Sequence, residues 1–171
     1  MDDPLADTPE KIVAFWRANI QTAQWYRSEA ECCCVILLNS RRRIIGYSLI
    51  SFGALNTVLV HPREVFRLGI VAAADAIVIA HNHPSGDPEP SLNDIRVTHE
   101  LVRAGSLLKL ELLDHLIIGK CCESFTKGYA SLRELGFLYP PRRKSKARVV
   151  RKRRTGHSFK ERNAALVTVT R

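Results

Sequence analysis

The run DAIVIA, residues 75–80, leads without a break into HNHPSGDPEPSLND, residues 81–94, and this junction constrains the fold more than any other part of the chain. A short apolar run rich in Val, Ile and Ala reads as a buried strand. Alternate side chains of a strand share a face, so His81 and His83 aim two imidazoles at one point while Asn82 looks away. The intervening PSGDPEP carries three prolines and one glycine, which makes a stiff reversing loop with little freedom left to lose. Ser91 and Asp94 then open a helical pattern whose apolar side is Ile95, Val97, Leu101, Val102 and Leu107. Asp94 comes round as a third ligand beside the two histidines.

Three N and O ligands with a fourth position left for water is the arrangement of a catalytic zinc site, because a structural site closes with four side chains. Zinc lowers the pKa of a bound water to roughly 7 and acts as a Lewis acid toward a carbonyl oxygen, so the chemistry expected is hydrolysis. One zinc ion per chain is the expectation, held by His81, His83 and Asp94. A simpler account stands beside it. Ser-x-x-Asp before an apolar run is also a capping box, and either histidine can be a satisfied core residue. The conjunction of strand, His-x-His, rigid loop and Ser-x-x-Asp favours the metal. The letters HNH do not point to HNH nucleases, whose residues are scattered over a longer ββα unit.

The pattern H-x-H, seven residues, Ser, two residues, Asp resembles the JAMM motif of JAB/MPN-domain metalloproteins, and the wider text is similar to their bacterial RadC-like branch. The similarity runs through FGALN at 52–56, VHPREVF at 60–66, the histidine motif, LLDHLIIG at 112–119 and SLRELGF at 131–137, covering roughly residues 8–138. It implies an α/β domain with a mixed β-sheet and flanking helices, related in architecture to cytidine deaminases. It also implies zinc on His81, His83 and Asp94, with Ser91 steadying a tetrahedral intermediate. Peptidase members of the family cleave peptide or isopeptide bonds, often beside ubiquitin-like carboxyl tails. The DNA-repair label of the bacterial branch is an inherited name, not a mechanism.

The JAMM pattern further requires a glutamate on an upstream strand as general base, expected five residues before the glycine of the Gly-x-Leu-Asn element. That glycine is Gly53, so the matching position is Ser48, and a serine cannot accept a proton near neutral pH. Loss of a general base costs roughly 10²- to 10⁴-fold, so impaired activity is expected. Glu64, in the first turn of the helix that Pro62 begins, is the nearest substitute by sequence, although an acidic residue there also complements the helix macrodipole. Glu31, just ahead of the first strand, is the weaker substitute.

Elsewhere, Thr8-Pro9-Glu10 reads as a helix start, with an apolar stripe of Ile12, Phe15, Trp16 and Ile20. CCCVILL at 32–38 and IIGYSLISF at 44–52 read as a hairpin around Asn39 to Arg43, its three arginines a solvated tip. A helix is expected from Pro62 to Ala73, another from Ser91 to about Ala104, and a strand through LKLELLDHLIIG. In that last strand His115 or Asp114 can orient a ligand imidazole, with core packing or strand-end hydrogen bonding as the other role. Five cysteines, at 32–34 and 121–122, are odd in number and clustered, so they read as reduced, small apolar core residues and not as a disulfide framework.

Of the 171 residues, 139–171 carry 12 Lys and Arg against one Glu, leaving 14 against 16 in the first 138. All of the net charge of +9 therefore lies in the tail. Such a block is expected to be disordered and able to neutralise nucleic-acid phosphates without reading bases; a solvated extension is the bland alternative. The expected organisation is one MPN/JAB-like domain over 8–138 and a basic tail over 139–171. No apolar run reaches membrane-spanning length, and the acidic start lacks a secretory pattern, so a cytoplasmic protein with no membrane partner is expected. Three functions compete. They are a zinc-dependent peptidase or isopeptidase acting on a peptide or protein substrate, a catalytically silent zinc-bearing scaffold for protein or DNA, and a metal-dependent nuclease. The last is less suited to a single-ion site with one carboxylate than to a two-metal clamp.

Overall fold

The computed structural model describes residues 4–53 and 60–139. The basic tail from 140 onward, including ALVTVT, and residues 54–56 of the FGALN element lie outside the described residues.

The described chain runs α1 (Pro9–Phe15), a π-type helical turn (Trp16–Ile20), β1 (Glu31–Leu38), β2 (Ile44–Gly53), α2 (Pro62–Val71), β3 (Ala76–Asn82), α3 (Leu92–Leu108), β4 (Glu111–Ile118) and β5 (Tyr129–Ser131). The strands form one mixed sheet in the order β2-β1-β3-β4-β5. β3 pairs antiparallel with β1 and parallel with β4, the parallel step being made through α3. All seven residues of β3 are buried, which is why its sequence reads as an unbroken apolar run.

Side-chain alternation divides the core. Cys34, Ile36, Leu38, Val78, Ala80 and Leu116 pack with Ile12, Val13, Trp16 and Ile20, so α1 and its π-type turn cover one face. Cys33, Val35, Leu37, Ile77 and Ile79 pack with Val65 and Phe66 of α2 and Leu101 of α3 on the other. His81, two residues beyond Ile79, inherits that second face. Among the described residues, no helix is long and apolar enough to cross a membrane.

The elements expected from sequence form, with shifted ends. α2 stops at Val71, and α3 continues one turn past Ala104 to Leu108, where Lys109 closes it in the left-handed conformation with φ 57°. α3 runs on through Gly105, which lacks a Cβ where one would come within 2.4 Å of the Leu110 carbonyl oxygen. The hairpin turn forms, with the Asn39 side chain accepting from the N–H groups of Arg41 and Arg43. Its tip is not wholly solvated, because Arg42 reaches Glu111 at 3.4 Å and buries one guanidinium nitrogen. Cys32, Cys33 and Cys34 are buried and free, and burial pushes the Cys34 thiol up to about 12. Cys121 and Cys122 are exposed, correcting the expectation that they belong to the core; they fall in the irregular segment after β4.

Candidate metal centre

The C-terminal end of β3 delivers both histidines, His81 within the strand and His83 one residue past it. His81 is 2% exposed, and its Nε2 lies 3.1 Å from Nε2 of His83. Asp94 enters from the first turn of α3, its Oδ1 3.4 Å from His81 Nε2 and its Oδ2 3.7 Å from His83 Nε2. Among the described residues, these three bring ligand atoms within 4.8 Å of one another, and the group could hold a metal ion.

The capping reading of Ser91 and Asp94 is realised, and the same carboxylate lies beside the two histidines. Ser91 Oγ accepts from the Asp94 N–H at 3.1 Å, and Asp94 Oδ2 accepts from the Ser91 N–H at 2.8 Å, completing a capping box. The Ser91 hydroxyl also donates to Oδ2 at 2.5 Å. This holds the carboxylate in one rotamer and leaves Oδ1 toward His81. The loop between is tied down at several points. The Gly86 carbonyl accepts from the Lys120 N–H at 2.6 Å, and the Asp87 carbonyl lies 2.7 Å from His83 Nδ1. A carbonyl only accepts, so His83 Nδ1 carries a hydrogen, and the neutral ring presents its Nε2 lone pair to the cluster.

The electrostatics suit a cation. Burial by itself raises the Asp94 pKa, but the neighbouring His83 and His81 rings and the donors of Ser91 outweigh it and hold the carboxyl well below its usual range. Burial, reinforced by His115 nearby, keeps His81 neutral. The result is one carboxylate and two imidazoles converging on a common centre. A shared cation would relieve their mutual repulsion, so the donor set fits a divalent metal.

The three positions considered for a base lie very differently with respect to the cluster. Ser48 pairs with Val35 of β1, which in turn pairs with Ile79, two residues short of His81 along β3. Ser48 thus sits down the sheet, with β1 between it and the histidines. Glu64 is half-exposed, and its carboxylate pairs with Arg63 at 3.2 Å and Arg67 at 3.5 Å on its own helix. Glu31 is the glutamate that faces the cluster, its Oε1 3.7 Å from His81 Nε2 with the side chain 15% exposed. The antiparallel register sets Cys33 opposite His81, and Glu31 shares the face of Cys33 one step further along β1. Burial and then the charge of Asp94 push the Glu31 carboxyl up, against the opposing pull of His83. Sequence reasoning ranked Glu31 last because it sought the glutamate on β2. The signal that finds it is the alternation Glu31, Cys33, Val35 on the face of β1 that α2 and α3 cover.

Behind the cluster, His81 Nδ1 lies 2.9 Å from Nε2 of His115, whose Nδ1 lies 2.7 Å from the Thr98 hydroxyl. Asp114 faces elsewhere. It accepts from Ser131 Oγ at 2.6 Å and from the Arg133 N–H at 3.0 Å, the strand-end role, which fastens β4 to β5. Burial raises its pKa.

Comparison with known proteins agrees with this geometry. A family model described as a RadC-like JAB domain matches residues 6–137. A UPF0758 protein of Symbiobacterium thermophilum is 48% identical over 104 residues, 61% of this chain and 42% of that protein. A UPF0758 protein of Halalkalibacterium halodurans is 38% identical over 138 residues, 81% of this chain and 55% of that protein. Another, from Moorella thermoacetica, is 55% identical over 84 residues, 49% of this chain and 37% of that protein. The match spans about half or less of each of these relatives.

Proposed function

Because the chain belongs to the family of RadC-like JAB domains, we propose that it is a zinc-dependent hydrolase of peptide or isopeptide bonds, with Glu31 as its general base. The observation that carries this is the Glu31 carboxylate, 3.7 Å from His81 Nε2, beside three groups able to hold one ion. His81, His83 and Asp94 would hold the zinc, leaving a coordination position for substrate or water. When bound, zinc supplies Lewis acidity, polarising a carbonyl group and making water more acidic.

The protein's own groups supply the remainder. Glu31 stands just beyond the three ligands, a placement that lets it take a proton from the attacking water and pass it to the departing nitrogen. Its raised pKa brings it nearer to neutrality and so suits both transfers. The exposed Ser91 hydroxyl turns from Asp94 to the developing oxyanion, as a hydrogen-bond donor fixed by its own backbone at the helix start. Peptides and proteins are the substrates in this proposal. A cytoplasmic location accords with three buried free thiols, and non-specific nucleic-acid binding by the basic tail is a separate proposal resting on its charge. The silent-scaffold alternative rested on Ser48 as a lost base and on the basic tail, and a glutamate 3.7 Å from His81 Nε2 speaks against the first of these.

Elemental analysis of purified protein should find about one zinc per chain, as a single three-ligand site requires. The metal-loaded protein should cleave members of a broad peptide library, and His83→Ala should lose both metal and cleavage. Full zinc occupancy without any turnover would favour a binding role instead.

A further inference from the structure

Two side chains that touch no ion and no substrate decide which nitrogen of His81 is bare. The Thr98 hydroxyl donates its one hydrogen to the Asp94 carbonyl at 2.7 Å, the back-bond of a helical Thr to the residue four before it. Having spent that hydrogen, Thr98 Oγ1 can only accept from His115, so the 2.7 Å contact places a hydrogen on His115 Nδ1. His115, neutral, then offers a lone pair at Nε2. That lone pair faces His81 Nδ1 at 2.9 Å, so His81 must carry its hydrogen on Nδ1 and present a bare Nε2 to Asp94 and Glu31. Each step follows from the one before.

We propose that His115 and Thr98 are positioning residues, a relay running from the Asp94 carbonyl through Thr98 and His115 that locks the ring and tautomer of His81 in the form able to bind a metal. All members are buried: Thr98 is 0% exposed, and His81 and His115 are 2% exposed, so no water competes for these hydrogens. The ends of the relay belong to the same site. Asp94 anchors one end with its carbonyl and faces His81 with its carboxylate, so the two ligands are oriented by one another through α3 and β4. The unusual element is the acceptor. A ligand histidine generally gives its second N–H to a carboxylate, a carbonyl or water, and here a second imidazole takes it. Asp114, the carboxylate next to His115, is occupied by Ser131 and Arg133 instead.

The inference rests on His81 being a ligand, but the relay exists before any ion arrives and can be read without activity. Nitrogen NMR of ¹⁵N-histidine-labelled, metal-free protein should show His81 protonated at Nδ1 and bare at Nε2. Zinc affinity, measured by competition with a chromophoric chelator, should fall roughly 10- to 100-fold in His115→Phe, as for other partners of ligand histidines. His115→Gln, whose amide oxygen can accept from His81 and whose amide nitrogen can donate to Thr98, should retain most of the affinity. Thr98→Val should weaken zinc binding and mix the His81 tautomers, and Thr98→Ser should restore both. A His81 proton found on Nε2 of the wild type overturns the proposal, as does a folded His115→Phe with zinc affinity within about twofold of wild type. If His115→Phe does not fold, the Thr98 pair and the wild-type tautomer decide. If the wild type takes up no zinc, the metal-centre proposal fails, and the tautomer measurement still judges the relay.

Discussion

The side chain of Asn82 grips the backbone on both sides of Glu31. Its Oδ1 accepts from the Cys32 N–H at 2.9 Å, and its Nδ2 donates to the Ala30 carbonyl at 2.9 Å. β3 ends at Asn82, so the amide takes the place of the next rung of the β1–β3 ladder and carries the register on to Glu31. Asn82 does look away from the histidines, as strand alternation requires, and from that side it fixes the backbone that carries Glu31.

Asn82→Leu should therefore act on stability and chemistry together. Leaving a buried N–H and carbonyl without partners costs about 1–3 kcal/mol, which chemical denaturation will register. With the residues flanking Glu31 released, kcat should fall more than KM rises, while zinc content stays at the wild-type level. Loss of zinc in a folded Asn82→Leu protein would show that Asn82 serves the ligands and not Glu31.

Glu31→Gln should lower turnover by roughly 10²- to 10⁴-fold, the usual worth of a general base, and leave metal content intact. Ser48→Glu should add nothing to activity, because Ser48 lies opposite Val35 and not beside His81. Steady-state kinetics on any cleaved peptide separates the two, and a gain of activity in Ser48→Glu would return the base to β2.

Gly119→Ala should disturb the loop that joins His83 to Ser91. A Cβ there would stand 2.5 Å from the Gly86 carbonyl oxygen and 2.8 Å from the Pro88 nitrogen, both backbone atoms with little room to give. Overpacking of this kind costs about 1–3 kcal/mol, and the displaced loop should also weaken metal binding. Titration with zinc and a thermal melt check both effects, and unchanged values in both would mean that the loop has slack.

Glu10 links α1 to the segment around β5, accepting from Tyr129 Oη at 2.7 Å and pairing with Lys127. The hydrogen bond from Lys127, then that from Tyr129, depresses its carboxyl from 4.5 to about 2. A depressed carboxyl stabilises the fold above its unfolded pKa, and that contribution fades as pH falls through 4.5 toward 2. Glu10→Gln should be the less stable protein at neutral pH, and the gap should narrow on acidification. The gap should be small and salt-sensitive, since the pair is solvent-exposed. Denaturation midpoints across that range test it, and two curves that stay parallel would exclude Glu10 as the source.

Local patterns carried most of the fold and the clustering of His81, His83 and Asp94. His81 and His83 are two apart on a strand, and Ser91 and Asp94 are three apart at a helix start, so period and capping chemistry suffice to place them. Glu31 is different, because its approach to His81 depends on which strands pair and in what register across fifty residues. The same holds for the His115 relay, which joins β3, α3 and β4. β5 was missed because three residues leave no period to detect. The arginine hairpin tip was misjudged at Arg42, whose partner Glu111 lies 69 residues away.

The box that closes the first turn of α3 uses the same carboxylate that faces His81. Asp94 is thus immobilised by the act of forming the helix, and an ion captured there would find the carboxylate already frozen in place. Little ordering entropy is then left for coordination itself, and departure of the ion need not unwind the helix. Folding and metal capture would then be separable events in this chain, unlike small zinc modules that collapse only around their metal.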